Sequence, residues 1–177
     1  MDWTLRIAND GDIPRIVALI PLSVRSLQAA YYSTAQMESA IGPVFAVDRQ
    51  LISDGTYFVV EHAGELIGCG GWSRRRSMFG GDHGRTIPDG LIDPACDPAR
   101  VRAFFVHPNW ARRGIGRRIL EECESAIRAA GFKRIELTAT LAGEPLYTVC
   151  GYRVIERSVI MLPNAPDLPA VQMGKTL

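Results

Sequence analysis

Three things are scarce in this 177-residue chain, and each scarcity removes a class of function. Charge imbalance is the first: 20 Lys and Arg stand against 19 Asp and Glu, a formal net charge of +1. No overall field draws the chain to nucleic acid or to an anionic membrane, so an anion site must come from local placement of charge. Long apolar runs are the second, since nowhere do about 18 consecutive apolar residues occur, the minimum for a transmembrane helix. Met1 to Ile7 holds no basic region followed by an apolar stretch, so no secretory leader is expected and the cytoplasm is the expected compartment. Paired cysteine is the third. Cys69, Cys96, Cys123 and Cys150 have unrelated neighbours, and no C-x-x-C pair seeds a zinc site. They are expected to be reduced structural thiols, with no metal.

What is present is ordinary for a globular chain, with 47 % hydrophobic and 22 % charged residues. One α/β domain spanning residues 1–177 is expected. Trp3 to Ala8 alternates as a first strand, and Asn9 and Asp10 can cap a helix with Pro14 in its first turn. Ile13, Ile16, Val17, Ile20, Val24 and Leu27 recur at helical spacing, and Pro21 is expected to kink or split that helix. Thr34 opens a short helix ended by Gly42-Pro43, and Val47 to Ser53 reads as a further turn or two. Thr56 to Glu61 and Leu66 to Trp72 form a hairpin signal around Ala63-Gly64-Glu65. Gly68, Gly70 and Gly71 predict a bulge or a close approach by another backbone. Residues 74 to 100, which begin with Arg74-Arg75-Arg76, exceed the roughly 15 residues at which structureless connections become uncommon. They are expected to be a functional lid or a mobile excursion.

Val101 to Leu141 carries the most information. Val101 to Val106 reads as a buried strand closed by His107-Pro108-Asn109-Trp110. Gly114 opens a helix with Ile115, Ile119, Cys123, Ala126, Ile127 and Ala130 on one face and Gly131 as its C-cap. Arg134 to Leu141 alternates as a strand, so strand, helix and strand predict two parallel neighbours. Glu144 to Cys150 is a short helix, and Tyr152 to Leu162 and Ala170 to Lys175 are the last strands.

The joint between the buried strand and the helix has a chemical use. Unpaired N–H groups and the positive end of the helix dipole converge there. Gly114 and Gly116 remove side chains that would keep a bulky anion from those groups, and Arg112, Arg113 and Arg117 add positive charge. The result is a pyrophosphate cradle. It is neither of two familiar kinds: Arg117, Arg118 and Ile119 follow where a dinucleotide fingerprint needs a third Gly, and no Gly-Lys-Ser/Thr makes a P-loop.

Phe104 to Gly116, ending Ala111-Arg112-Arg113-Gly114-Ile115-Gly116, resembles the cofactor motif of the GNAT acetyltransferases, Q/R-x-x-G-x-G/A, with Ala111 where Gln or Arg is usual. Pro145-Leu146-Tyr147 followed by Gly151-Tyr152 resembles the family's second signature. The match in element order covers nearly the whole chain. It implies the GNAT acyl-CoA N-acyltransferase fold, a mixed central sheet with a splayed parallel strand pair and flanking helices. It further implies acetyl-CoA as co-substrate, with pantetheine against the backbone of Phe105, Val106 and His107. The diphosphate would meet the amides of Arg112, Arg113, Gly114, Ile115, Gly116 and Arg117. Tyr147 is implied as the group that hydrogen-bonds or protonates the departing sulfur. The partner implied is a small-molecule or peptide amine, without nucleic acid or membrane, and a homodimer is compatible with the family.

Catalysis sets two demands. A free alkyl amine has a pKa near 10.4, so its nucleophilic form lies about 4.6 kcal/mol uphill at pH 7. A tyrosine near pKa 10 can protonate a thiolate of cysteine-like basicity, pKa about 8.5, at a cost of about 2 kcal/mol. The base that removes the amine's proton has several candidates, Glu61, Asp93, Glu136 and Glu144, and no spacing selects among them. His107 reads as a turn residue, His62 as a hairpin-edge side chain, and His83 as a loop residue that could face substrate. Two other functions fit the same residues: an acyl-CoA-binding sensor or interaction module without turnover, and a nucleic-acid domain using Arg74 to Arg76. Acceptor specificity is expected from residues 21 to 50 and 74 to 100.

Overall fold

Among the described residues, seven strands form one sheet whose order departs from the chain at a single place. The computed structural model describes residues 2–79 and 89–177. The strands are β1 (Thr4–Ile7), β2 (Tyr57–His62), β3 (Glu65–Ser73), β4 (Ala99–Val106), β5 (Arg134–Thr140), β6 (Arg153–Ile160) and β7 (Leu168–Thr176). Their order is β1-β2-β3-β4-β5-β7-β6, so β7 slots between β5 and β6. β4 and β5 run parallel, and the other neighbours are antiparallel. The helices are α1 (Ile13–Leu27), α2 (Thr34–Ala40), α3 (Arg49–Ser53), α4 (Ile115–Ala129) and α5 (Glu144–Val149). This is the mixed sheet with a parallel pair and flanking helices that the resemblance implies.

α1 begins where the sequence places its caps. The Asn9 side chain accepts from the Gly11 N–H and the Asp12 carboxylate from the Asn9 N–H, each at 2.9 Å. Asp12 is 1 % exposed and takes two hydrogen bonds from Arg6, at 2.7 and 2.8 Å, and another from Arg15. The expected break at Pro21 does not occur, and α1 runs unbroken from Ile13 to Leu27. Pro21 leaves the Val17 carbonyl without its intrahelical donor, but Val17 is on the solvent side, where water can satisfy it.

Each face of the sheet has its own apolar packing. Ile115, Ile119, Cys123 and Ile127 of α4 bury against Ile67, Val101, Ile135 and Met173. Ile16, Ile20 and Val24 of α1 pack with Met37, Leu51, Tyr57, Cys69 and Phe105 on the other side. All four cysteines are free, and burial pushes the Cys69 thiol up to about 12.

The β3 glycines correspond to a bulge on the neighbouring strand. Cys69 pairs with Phe105 and Gly71 with Arg102, so Ala103 and Phe104 together stand opposite Gly70, with Ala103 at φ +60°. A Cβ on Gly70 would lie 2.6 Å from the Phe104 ring, and one on Gly68 would lie 2.6 Å from Ile115 Cγ2. Besides a close backbone approach at Gly71, where Thr56 O would lie 2.6 Å from a Cβ, these positions admit side chains from β4 and α4.

The connection from residue 74 to 100 enters and leaves through a short ladder. Arg76 N–H donates to Gly90 O at 3.1 Å and Ile92 N–H to Arg74 O at 2.9 Å. Arg75 binds Asp54 at the end of α3 through two hydrogen bonds of 2.7 and 2.8 Å, and Arg74 lies over the Trp72 ring. Two members of the arginine run are therefore engaged within the chain. Residues 80–88, including His83 and the middle of the expected lid, lie outside the described residues.

Gly70→Ala should lower stability by about 1–3 kcal/mol, because the added methyl meets the Phe104 ring. The measurement is a urea unfolding midpoint at unchanged m-value. An unmoved midpoint would show that the ring turns aside freely.

Candidate active site

β4 and β5 are in register at Ala99–Ile135 and Arg100–Glu136, and then they part. The gap opens into a cavity of about 700 Å³, walled by β4, the 110–117 turn, the end of β5, α5 and the C-terminal part of α1. Buried hydroxyls hold the two lips. Tyr57, fully buried, donates to the carbonyl of Ala103 at 2.7 Å. Tyr32 donates to Pro169 O at 2.6 Å and accepts from Leu141 N–H at 2.9 Å, tying the end of β5 to β7. Past the bulge, the Val106 N–H meets Ser23 Oγ at 3.2 Å, and both residues line the cavity. A strand N–H held by a side chain in this way remains a donor for whatever enters the gap.

The α4 terminus faces the same cavity. Gly114 is its N-cap at φ +85°, a left-handed angle that favours glycine, and no side chain caps the first turn. The first intrahelical acceptance runs from Arg118 N–H to Gly114 O, so the N–H groups of Ile115, Gly116 and Arg117 have no helical partner. The two glycines do different work. A Cβ on Gly114 would meet nothing within 4 Å, whereas one on Gly116 would press Leu146 Cδ2 at 3.2 Å. Gly114 serves the backbone angle, and Gly116 lets α4 approach α5.

Of the residues expected at the cofactor, Phe105, Val106, Arg112, Gly114, Ile115, Gly116 and Arg117 line the cavity. His107 and Arg113 are turned elsewhere. His107 Nδ1 accepts from Asn109 N–H at 3.2 Å, closing the turn, and the Arg113 guanidinium stacks 5.1 Å from the Trp110 ring centre. Tyr147 lines the cavity with its ring edge-on to Phe104 and Tyr152, at 6.3 and 5.7 Å between centres. Burial holds its phenol well above the ordinary tyrosine range, so it stays a neutral donor.

The candidate bases are drawn into other tasks. Glu61 is ion-paired with Arg6 at 3.0 Å and Arg15 at 2.7 Å, Glu136 with Arg100 at 2.8 Å, and Glu144 with Arg157 at 2.6 Å. Asp93 accepts from Ala95 N–H at 2.9 Å, and His62 Nδ1 lies 2.6 Å from Asp2 O. Among the described residues, no carboxylate or imidazole lines the cavity. Sequence reasoning overlooked Ser23, Gln28 and Arg102, which do. Arg102 is 5 % exposed and paired with Asp48 at 2.9 Å and Asp89 at 3.4 Å. An arginine inside the apolar run of β4 was a readable sign of a buried ion pair. Ser23 and Gln28 carried no sign beyond their place on α1.

A buried phenol gives a definite titration. Tyr147→Phe should leave the phenolate absorbance curve unchanged up to about pH 11, since Tyr147 keeps its proton there. With the folded pKa raised above the unfolded one, this residue's contribution to stability is whole below about pH 10 and is lost as pH rises. Loss of a phenolate signal near pH 10 in the variant would show that the hydroxyl is solvated.

Residues 53–154 match the acetyltransferase (GNAT) domain family. No curated protein matches the sequence. A GCN5-related N-acetyltransferase from Rhodopseudomonas palustris has a TM-score of 0.73 at 19 % identity, over 100 % of this chain and 97 % of its own. The PaiA N-acetyltransferase from Thermoplasma acidophilum, in complex with coenzyme A, gives 0.68 at 16 %, over 100 % of both chains. YncA from Salmonella typhimurium, with its cofactor acetyl-CoA, gives 0.65 at 16 %, over 100 % of this chain and 95 % of its own. These likenesses establish the fold, and the matched domain covers more than half of the sequence: the chain belongs to the GNAT acetyltransferase family.

Proposed function

We propose that the protein is an acetyl-CoA-dependent N-acetyltransferase, acting as one domain over residues 1–177, that acetylates a primary amine of a small molecule or peptide by direct attack in a ternary complex. The observation that carries this reading is the cavity between parting β4 and β5, which runs past an uncapped helix terminus. The fit to acetyl-CoA rests on that terminus and on the open space above Gly114. The amides of Ile115 to Arg117, with Arg112 and Arg117, suit a diphosphate. The backbone of Phe105 and Val106 suits the amide groups of pantetheine, with Ser23 giving up the Val106 N–H. When bound, acetyl-CoA supplies a thioester carbonyl for an amine to attack and a thiolate as leaving group.

The chain's own residues meet the two demands of that chemistry. Tyr147 holds a proton that it can share with the sulfur. A backbone N–H of the β4 lip would polarise the thioester carbonyl. Water is one acceptor for the amine's proton, because the described wall carries no carboxylate or imidazole. The apolar wall helps, because desolvation lowers the pKa of an ammonium that enters it. That no base lines the described wall also favours a second reading, an acyl-CoA sensor without turnover, and a thiol-release assay separates the two. The cytoplasm remains the proposed site of action. Among the described residues, no helix is long and apolar enough to cross a membrane.

Acetyl-CoA should raise the melting temperature, corresponding to about 2.7 kcal/mol at a hundredfold excess over Kd. Gly114→Glu should abolish that shift, measured against the variant's own ligand-free Tm, by placing a carboxylate where the anion lies. A preserved shift would remove the diphosphate from this turn. Tyr147→Phe should lower kcat by about 10²–10⁴-fold with acetyl-CoA affinity nearly intact. A kcat within about twofold of wild type would make Tyr147 a packing residue.

A further inference from the structure

Gln28 is a buried amide whose oxygen has no hydrogen-bond partner, and it sits on the cavity wall. It is the C-cap of α1, and its backbone is fully engaged: its N–H donates to Val24 O at 3.1 Å, and its carbonyl accepts from Tyr31 at 2.9 Å and Tyr32 at 3.0 Å. The residue is 8 % exposed. A polar group removed from water without a partner is unfavourable, and native chains retain such a group where an ordered water, an ion or a ligand supplies the missing donor. The last torsion of a glutamine is broad, so the amide can turn its oxygen toward the cavity without moving the helix.

The surfaces around Gln28 specify the rest of that ligand. Val44, Phe45, Met78, Phe79 and Leu168 contribute apolar wall, with Phe79 43 % and Tyr31 49 % exposed at the cavity. The buried charge that lines the same cavity, Arg102, is already met by Asp48 and Asp89. No carboxylate among the described lining residues waits for a second ammonium. This differs from the α4 end, where Arg112 and Arg117 face the same cavity.

Resting on the transferase reading, we propose that Gln28 and this wall select the acceptor: a primary amine on a single apolar or aromatic body, its N–H donated to Gln28 Oε1. That bond leaves the nitrogen lone pair free to point into the gap between β4 and β5. A polyamine fits poorly, because among the described residues its second cation finds an apolar wall and a neutralised arginine.

The probes are 2-phenylethylamine and spermidine, tested on the full chain with acetyl-CoA by thiol release and with coenzyme A by equilibrium binding. Wild type should favour phenylethylamine by at least about tenfold in kcat/KM and in affinity, because the second ammonium of spermidine would be buried without a partner. Gln28→Met keeps an unbranched side chain of similar length and removes the amide. It should raise the phenylethylamine KM and Kd by about tenfold, with acetyl-CoA Kd within about twofold and the melting temperature nearly unchanged. Preference for spermidine, an unaltered phenylethylamine Kd in Gln28→Met, or a loss of acetyl-CoA affinity instead would each overturn the assignment. The transferase reading would survive those results if thiol release persists. Amine binding without thiol release sinks the transferase reading and leaves the Gln28 site standing.

Discussion

The bulge at Ala103 turns β4 from an ordinary strand into one lip of a cleft. Two residues stand there opposite Gly70, and the Ala103 carbonyl is taken by the hydroxyl of Tyr57 instead of by another strand. Tyr57 is a neutral donor under all ordinary conditions, because full burial raises its pKa well above that of a solvated phenol. Phe104 fills the space left by Gly70, and Val106 then presents its N–H to Ser23 rather than to β5. The opposite lip is held in the same manner by Tyr32, whose single hydroxyl bridges Pro169 and Leu141. Two tyrosine hydroxyls thus hold open a gap that a regular sheet would close.

The cavity so formed is chemically divided. At the α4 end, free amides, a helix dipole and two arginines favour negative charge. Elsewhere the described wall is largely apolar, and the buried Arg102 is paired with aspartates. One part of the cavity thus suits an anion and the other an uncharged, apolar group. Tyr147 sits in the same cavity, with a phenol that burial keeps protonated.

Much of this arrangement was legible in the sequence, and the parts that were not share a cause. Strands and helices follow local periodicity, so α1, α4, the β2–β3 hairpin and the parallel pairing of β4 with β5 are where the residue pattern places them. The turn at Gly114 was readable because positive φ and an uncapped helix start leave a local signature. Pro21 misled, since the outcome depended on which side of α1 faces water. The β3 glycines signalled a bulge without saying which strand carries it. Ser23, Gln28, Tyr32, Tyr57 and the Asp48–Arg102 pair act across distant parts of the chain, and no window of neighbouring residues records such contacts. The same holds for the candidate bases. Glu61, Glu136 and Glu144 look available as a string of letters and are occupied by arginines in three dimensions.

The insertion of β7 between β5 and β6 has a consequence for how the chain is made. β5 and β6 do not pair with each other, and both bind β7, whose residues Leu168–Thr176 follow them in the sequence. During synthesis the β1–β4 half can therefore close on itself while β5 and β6 wait with open hydrogen-bonding edges. Such edges are templates for pairing with foreign strands. Once β7 emerges it closes the edges of β5 and β6 that face each other in a single step, and through Tyr32 and Pro169 it also ties off the end of β5. The lip of the cleft is completed by the same event that closes those two facing edges.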